Sequence, residues 1–218
     1  MRSDSGPAGT AVNAADDALI LILAGGQSRR MGRDKASLPF GEATMLTALV
    51  RRFQETAHPV AVSVRTAGQF DTAGADEIAD LYPGQGPLAG LHAAFAATEA
   101  ERIFLTGTDL PFLTVELAEA VLAAAAESVE ADCCVVQRAD GKAEPLCGVY
   151  RRSCLPQLER CLHEGRRSFK ALFGGLRVRY VQEAELPGFD LAHLLDNLNT
   201  PEDYRRAVGA DGQKLPGA

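Results

Sequence analysis

A short, purely aliphatic run near the start of the chain leads directly into a loop rich in glycine. Leu19–Leu23 contains only leucine and isoleucine and is too short to cross a membrane. A continuous apolar run bounded by glycines is typical of a strand buried in a parallel sheet. Because Gly25 and Gly26 carry no side chain, their backbone N–H groups can approach an anion closely. This start predicts an α/β fold with an anion-binding loop after its first strand.

The same loop concentrates positive charge on an acidic chain. Arg29, Arg30, Arg33 and Lys35 lie within seven residues and are opposed only by Asp34, whereas the whole chain has a formal net charge of -7. Non-specific nucleic-acid binding needs a broad basic surface, which this composition does not provide. A solvated basic turn is the alternative, but cations beside a glycine pair favour phosphate as the ligand.

Length and composition favour a single domain. The chain has 218 residues, 46% of them hydrophobic and 23% charged, which is ample for one core. We expect residues 1–17 to be a disordered tail, residues 18–209 a single domain and residues 210–218 a flexible tail. No segment reads as a signal peptide or a membrane helix, so no membrane partner is expected.

The cysteines indicate a reducing compartment. The chain contains five and no C-x-x-C motif, and an odd count without a signal peptide fits reduced thiols in the cytoplasm. Cys147, Cys154 and Cys161 are spaced by seven, which could suggest a metal cluster. Since Cys147 lies in a strand-like segment and the other two in a helix-like one, we expect small buried hydrophobic side chains instead.

Strand-like and helix-like segments alternate along most of the chain. Strands are predicted after Leu19–Leu23 at residues 59–65, 77–79, 103–106, 132–136, 143–150 and 177–181. Helices are predicted at residues 44–56, 88–98, 114–128 and 153–164, with a closing helix capped by Thr200. Such alternation with short connections predicts an α/β fold with a doubly wound, mostly parallel sheet and helices on both faces.

Three unusual loops each follow a predicted strand: the glycine-rich loop, the segment from Asp80 to Gly90, and the loop at Asp109. Ligands of doubly wound sheets bind at the carboxyl ends of the strands, so we expect these loops to converge there. The Asp80 loop is dense in glycine and proline, which predicts a rigid backbone against which a flat base could lie, although a plain structural turn is the alternative.

The chemistry expected at this edge is that of a nucleoside triphosphate. The spacing of the first loop matches neither a Walker A motif nor a dinucleotide fingerprint. A triphosphate could use the amides of Gly25 and Gly26 together with Arg30 and Lys35. Asp109 would repel phosphates unless it held a divalent cation, so we expect Mg²⁺ there, with an ordinary turn aspartate as the alternative.

Six segments together resemble the molybdenum cofactor guanylyltransferase family, within the nucleotidyltransferases of the glycosyltransferase-A-like fold. They are L-A-G-G-Q-S-R-R-M-G-R-D-K (23–35), D-L-Y-P-G-Q-G-P-L-A-G (80–90), T-D-L-P-F-L (108–113), E-P-L-C-G-V-Y (144–150), R-R-S-F (166–169) and N-L-N-T-P-E-D (197–203). The first is a specific signal, and the others are strong only jointly. The family transfers GMP from GTP to the terminal phosphate of molybdenum-loaded molybdopterin and releases pyrophosphate.

The resemblance implies roles for particular residues of the nucleotide site. It implies nucleotide contacts from Leu23, Ala24, Gly25 and Gly26, phosphate contacts from Lys35, a guanine-nucleotide site at Asp80, and contacts of Asp109 with Mg²⁺ and nucleotide. Lys35 and Asp109 with its Mg²⁺ would stabilise charge on the α-phosphate, while Arg30 would hold pyrophosphate. Some members carry a nucleotide-contacting asparagine where this chain has Val62 or Ser63.

The acceptor and the partners are also expectations of the resemblance. We expect Arg166, Arg167 and Ser168 to bind the acceptor phosphate, with Asn197 and Asn199 nearby in the acceptor site; a surface turn and a helix cap are the alternative. The implied partners are GTP, molybdenum-loaded molybdopterin, cofactor-insertion proteins or chaperones, and acceptor molybdoenzymes. Three alternatives stay open: cytidylyl transfer to the same cofactor, nucleotidyl transfer to a sugar phosphate, and a non-catalytic GTP-binding cofactor carrier.

Overall fold

A seven-stranded sheet and a two-stranded hairpin organise the computed structural model, which describes residues 18–24 and 34–209. The strands are β1 (Ala18–Leu23), β2 (Pro39–Phe40), β3 (Ala43–Thr44), β4 (Val60–Val64), β5 (Asp76–Ala79), β6 (Arg102–Gly107), β7 (Cys133–Gln137), β8 (Ala143–Arg151) and β9 (Val178–Gln182). The helices are α1 (Met45–Phe53), α2 (Pro87–Ala97), α3 (Val115–Glu127), α4 (Leu155–His163), α5 (Phe169–Phe173), α6 (Leu191–Leu194) and α7 (Pro201–Val208). The predicted tails and residues 25–33 lie outside the described residues.

The large sheet has the strand order β5-β4-β1-β6-β8-β7-β9. Strand β8 runs antiparallel to its neighbours β6 and β7, and every other neighbouring pair is parallel. The predicted mostly parallel sheet is therefore confirmed. The carboxyl ends of all its strands except β8 lie along one side, called here the carboxyl edge.

A tight hairpin explains the reversed direction of β8. Gly141 has φ of +83°, and its N–H donates to the carbonyl of Arg138 at 2.9 Å. Asp140-Gly141 is a dipeptide that favours such turns because the second residue must adopt positive φ. Both strands were predicted from the sequence, but this turn and the resulting direction were not.

Helices cover both faces of the sheet, as predicted. On β1, Ile20 and Ile22 pack with α1 and α3 in one core, whereas Leu19 and Leu21 pack with α2 and α4 in the other. Successive side chains of a strand point to opposite faces, so a strand covered on both sides must be apolar throughout. This arrangement accounts for the continuous aliphatic run in the sequence.

The cysteines behave as buried hydrophobic side chains. All five are buried and unpaired, and burial raises the pKa of Cys154 to about 12. A buried thiol with a raised pKa stays protonated at neutral pH and packs as a small hydrophobic side chain. In the described part of the chain, no helix is long and apolar enough to cross a membrane.

Candidate active site

A cavity of about 320 Å³ lies at the carboxyl edge, above β1, β4, β5 and β6. It is lined by Leu23, Ala24, Asp34, Lys35, Ser63, Arg65, Asp80, Gly84, Gly86, Pro87, Gly107, Thr108, Asp109, Leu146 and Arg167. The structure thus brings the Asp80 loop, the Asp109 loop and the end of the glycine-rich loop to one place. This convergence was predicted from the strand-then-loop pattern.

Lys35 and Asp109 form an ion pair in the cavity wall. The Lys35 ammonium donates to Oδ1 of Asp109, and Oδ1 of Asn199 lies 3.5 Å from the same nitrogen. The Lys35 side chain is 10% exposed and that of Asp109 is 39% exposed. A largely buried cation is therefore held beside a carboxylate that a ligand in the cavity can reach.

A short turn fixes Lys35 against the sheet. The N–H of Ser37 donates to the carbonyl of Asp34 at 3.1 Å, and the N–H of Leu38 donates to that of Lys35 at 3.0 Å. Ala36 is buried in the core within this turn. Because Ala36 anchors the backbone, the neighbouring ammonium reaches the cavity from a defined position.

Asp109 sits on a loop that the core and the half-buried Arg52 hold in place. The N–H of Leu110 donates to the carbonyl of Gly107 at 3.0 Å, and the Leu110 side chain is fully buried. Arg52 of α1 donates to the carbonyls of Pro111 and Leu113 at 2.6 and 2.8 Å, and burial lowers its pKa. Buried carbonyls that lack helical partners are satisfied here by a side chain, which fixes the loop.

Asp80 faces the cavity from the other side, at the end of β5. Its N–H donates to the carbonyl of Val64 at 3.0 Å, and Oδ1 accepts from the Ser63 hydroxyl at 3.2 Å. Burial raises the pKa of Asp80, against the opposing effects of the Ser63 hydrogen bond and the Arg65 charge. The Ser63 hydroxyl thus orients Asp80.

A second ion pair links the cavity walls and was missed by the sequence analysis. Arg65 donates to Oδ2 of Asp34 at 3.0 Å, and the Gln69 side chain donates to the same oxygen at 3.2 Å. Asp34 is the residue directly before Lys35, so this contact ties the Lys35 turn to the loop after β4. Arg65 is the last residue of the strand predicted at residues 59–65, and the carboxyl-edge rule applied to it could have placed it here.

The part of the cavity wall formed by the Asp80 loop consists mostly of backbone, as predicted. Gly86 has φ of +73° and caps α2, with Gly84 and Pro87 beside it in the lining. A Cβ on Gly90 would lie 2.4 Å from the Ser63 Oγ and 2.7 Å from Cδ2 of Leu23. Because Gly90 has no side chain, α2 packs directly on the ends of β1 and β4.

The residues expected to bind the acceptor are separated in the structure. Arg167 lines the cavity. Arg166 pairs with Glu164, and the Ser168 hydroxyl accepts from the Ala171 N–H at 3.3 Å to cap α5. Only Arg167 of these three therefore belongs to the cavity lining.

The two predicted asparagines have different surroundings. The Asn197 amide donates to Oε2 of Glu144 at 2.9 Å, whereas Asn199 lies against Lys35. Glu144 was missed as a partner because nothing in its local sequence pattern points to Asn197. Gly25, Gly26 and Arg30, which were predicted to bind phosphate, lie outside the described residues.

The donor atoms suit a cation that arrives with a nucleotide. Among residues 18–24 and 34–209, no group of three or more His, Cys, Asp or Glu side chains could hold a metal ion. Mg²⁺ in phosphate sites needs only one or two carboxylates, because phosphates and water complete its six ligands. The partly exposed Asp109 carboxylate meets that requirement.

A mostly parallel sheet with a phosphate-suited cavity at its carboxyl edge defines this chain as an α/β nucleotidyltransferase. The family model of the MobA-like NTP transferase domain matches residues 20–179, and the chain belongs to that family. The match covers the sheet from β1 into β9 and every loop that lines the cavity.

Relatives and solved structures agree with this assignment. A protein named probable molybdenum cofactor guanylyltransferase from Carboxydothermus hydrogenoformans is 32% identical, and the match covers 87% of this chain and 94% of the relative. A protein of the same name from a Nostoc species is 36% identical, and the match covers 84% of this chain and 86% of the relative. Molybdopterin-guanine dinucleotide biosynthesis protein A of Archaeoglobus fulgidus superposes with a TM-score of 0.75 at 26% identity, covering 87% of this chain and 96% of that one. A cytidylyltransferase for 2-C-methyl-D-erythritol 4-phosphate from Thermus thermophilus, with a TM-score of 0.61 at 17% identity over 86% and 95% of the chains, shares the fold.

Proposed function

We propose that this enzyme transfers GMP from GTP to the terminal phosphate of molybdenum-loaded molybdopterin and releases pyrophosphate. The observation that carries the proposal is the Lys35–Asp109 pair in the cavity of a chain whose relatives are named for this activity. In the reaction, a phosphate oxygen of the acceptor bonds to the α-phosphorus of GTP. The bond from that phosphorus to the bridging oxygen breaks, and its electron pair leaves with pyrophosphate.

Lys35 is the residue that acts on the transferred phosphate. Its largely buried ammonium presents a fixed positive charge to the cavity. Charge that grows on α-phosphate oxygens is stabilised most by groups that are already oriented and poorly solvated. From this position Lys35 would contact the triphosphate, and Asp109 would be the residue that holds a cation bound with the nucleotide.

Asp109 is the residue that would hold Mg²⁺, which supplies Lewis-acid charge stabilisation on the phosphate oxygens when bound. The exposed fraction of Asp109 and its place beside Lys35 support this role. The carboxylate also keeps Lys35 oriented before the nucleotide arrives.

The opposite wall suits the guanine nucleotide. The backbone at Gly84 and Gly86 leaves room for a flat base, and Asp80 offers a carboxylate held by Ser63. Arg167 is the cavity residue that would contact the acceptor phosphate. By the same resemblance, the product would pass to cofactor-insertion proteins or chaperones and acceptor molybdoenzymes.

The experiment is a nucleotide panel with the purified protein. It is incubated with Mg²⁺, molybdenum-loaded molybdopterin and one of GTP, CTP, ATP or UTP, and pyrophosphate release is followed. We expect release with GTP that depends on the acceptor. Release with CTP but not GTP would show cytidylyl transfer, and GTP binding without any release would show a carrier. Either result contradicts the proposal.

A further inference from the structure

The segment Asn197–Thr200 is attached to the backbone of Asp109. The N–H of Leu198 donates to the Asp109 carbonyl at 3.0 Å. The Leu198 side chain is 1% exposed and packs with Phe40 and Met45 in a small separate core. Movement of this segment therefore moves the residue expected to bind the metal.

A buried carboxylate holds the first residue of the segment. Glu144 on β8 is 6% exposed, and its Oε2 accepts from the Asn197 amide at 2.9 Å while Oε1 accepts from the Leu146 N–H at 3.3 Å. A buried carboxylate without hydrogen-bond donors is costly, so the contact with Asn197 is strongly favoured.

The end of the segment is held by a helix cap. Oδ2 of Asp203 accepts from the N–H groups of Asn199 and Thr200 at 3.1 and 2.9 Å, and the Thr200 hydroxyl accepts from the Asp203 N–H at 3.1 Å. This capping box joins Thr200, the residue before α7, to Asp203 in the first turn of α7. Asn199, which lies 3.5 Å from the Lys35 ammonium, is therefore fixed from both directions.

We propose that Glu144 is a positioning residue for the transfer reaction, and that it acts through Asn197 to hold Leu198, Asn199 and the Asp109 backbone in register with Lys35. This inference rests on the proposed function. It assigns Asn197 a contact with Glu144 in place of an acceptor-binding role, because the Asn197 amide nitrogen already donates to Glu144 at 2.9 Å and to the Leu195 carbonyl at 3.4 Å.

The test is a double-mutant cycle with Asn197→Ala, Glu144→Ala and the double variant, with Glu144→Gln as the conservative change. Loss of a group that orients a phosphate-transfer or metal-binding residue costs about 10- to 100-fold in activity. We expect each single variant to lower kcat by that amount, with the KM for the acceptor unchanged. The kcat of the double variant should be no lower than that of either single variant, since all three lack the same Asn197–Glu144 contact. Glu144→Gln keeps one acceptor oxygen but places an NH2 group, which cannot accept, against the Asn197 amide or the Leu146 N–H, so its activity should lie between those of the wild type and Glu144→Ala.

Hydrogen–deuterium exchange at the Leu198 amide gives a readout that does not depend on activity. We expect faster exchange in Asn197→Ala and an intermediate rate in Glu144→Gln, which can satisfy only one of the two N–H donors. Ser153→Ala is the matched control, because it removes a hydrogen bond of 2.8 Å to the buried Asp132 outside the cavity. It should lower stability without changing kcat or Leu198 exchange.

An acceptor-binding role for Asn197 gives a different pattern: a higher acceptor KM in Asn197→Ala, with kcat, Leu198 exchange and Glu144→Ala unaffected. That pattern, or multiplicative effects in the double variant, overturns the inference. If Glu144→Ala does not fold, Asn197→Ala decides alone by the same two readouts. A wild-type protein that makes no product contradicts the proposed function, whereas an active wild type with unaffected variants contradicts only this inference.

Discussion

Two carboxylate–cation pairs of this molecule have opposite patterns of burial. In the Lys35–Asp109 pair the cation is 10% exposed and the carboxylate 39%. In the Asp132–Arg177 pair, which precedes β7 and β9, the carboxylate is 12% exposed and the cation 63%. The first pair lies at the carboxyl edge inside the cavity, and the second lies at the opposite end of the parallel strands. The difference separates a pair that can meet a ligand from one that holds elements together.

The Asp132 carboxylate is saturated by donors of its own chain. It accepts from the Arg177 backbone at 2.9 Å, from the Arg177 guanidinium at 2.8 Å and from the Ser153 hydroxyl at 2.8 Å. The hydrogen bonds from Arg177 hold the pKa of Asp132 well below its usual range. Such a carboxylate has no capacity left for a substrate. Asp109, in contrast, lines the cavity with a partly exposed side chain.

The largest effect is expected from Asp109→Asn, which removes the charge and keeps the shape. Loss of one preorganised electrostatic contact at a reacting centre lowers kcat by about 10²- to 10³-fold. The free energy of unfolding should fall by about 1 kcal/mol, because the largely buried Lys35 ammonium loses a charged acceptor while the Asn oxygen can still accept from it. Steady-state pyrophosphate release and urea unfolding measure the two. Normal turnover in this variant would remove Asp109 from the reaction.

The next effect is expected from Lys35→Met, which keeps the apolar stem and removes the ammonium. We expect kcat/KM for GTP to fall about 10²-fold, because the phosphate charge loses its buried cation. Lys35→Arg should not restore activity, since a planar guanidinium cannot replace a compact ammonium at this position. Lys170→Met on α5 is the control, because Lys170 is exposed and lies outside the cavity lining. Equal activity of Lys35→Met and Lys170→Met would contradict the assignment.

Asp132→Asn should show the reverse: lower stability and unchanged turnover. Arg177 and Ser153 then donate to a neutral amide, which is a weaker acceptor than a carboxylate. The free energy of unfolding at pH 7 should therefore fall by about 1–3 kcal/mol. The folded-state pKa is lowered, so the stability from the charge is complete above the ordinary carboxyl pKa of about 4 and is lost as pH falls below it. Urea unfolding should show a smaller difference in the free energy of unfolding between variant and wild type at pH 3 than at pH 7. An equal difference at both pH values would mean that the Asp132 charge does not contribute to stability.

The smallest effect is expected from Arg65→Ala. The Arg65–Asp34 pair is partly exposed, with 36% and 21% of the two side chains accessible. Ion pairs of this kind contribute about 0.2–1 kcal/mol to the arrangement that they hold. If all of that free energy were lost from GTP binding, the KM for GTP would rise by at most about fivefold. Nucleotide titration of the variant measures this shift. A loss of GTP binding as large as that of Lys35→Met would place Arg65 on the phosphates themselves.

The strands and loops that form the site were predicted from the sequence, because they depend on local patterns. An aliphatic run marks a doubly covered strand, and loops that follow parallel strands meet at one edge. This rule predicts Lys35, Asp80 and Asp109 at one edge of the sheet, where the cavity lies. The direction of β8 was also encoded locally, in Asp140-Gly141, but that signal was overlooked.

The pairing of side chains could not be predicted in the same way. Asn197 and Glu144 are 53 residues apart, and their contact depends on how β8 and the segment before α7 pack. The same holds for Arg65 with Asp34, which are 31 residues apart. Periodicity determines which face of an element is buried, but not which polar group on another element it meets. The contact of Asn197 with Glu144 shows this limit.

A crystal structure of the full chain with GTP and Mg²⁺ tests the central claim most directly. The account predicts the triphosphate in the cavity at the carboxyl edge, with the Lys35 ammonium on phosphate oxygens and the Mg²⁺ on the Asp109 carboxylate. It also predicts that the Asp132–Arg177 pair is unchanged by the ligand. A triphosphate bound elsewhere, or one in the cavity that contacts neither Lys35 nor a cation on Asp109, would contradict the account.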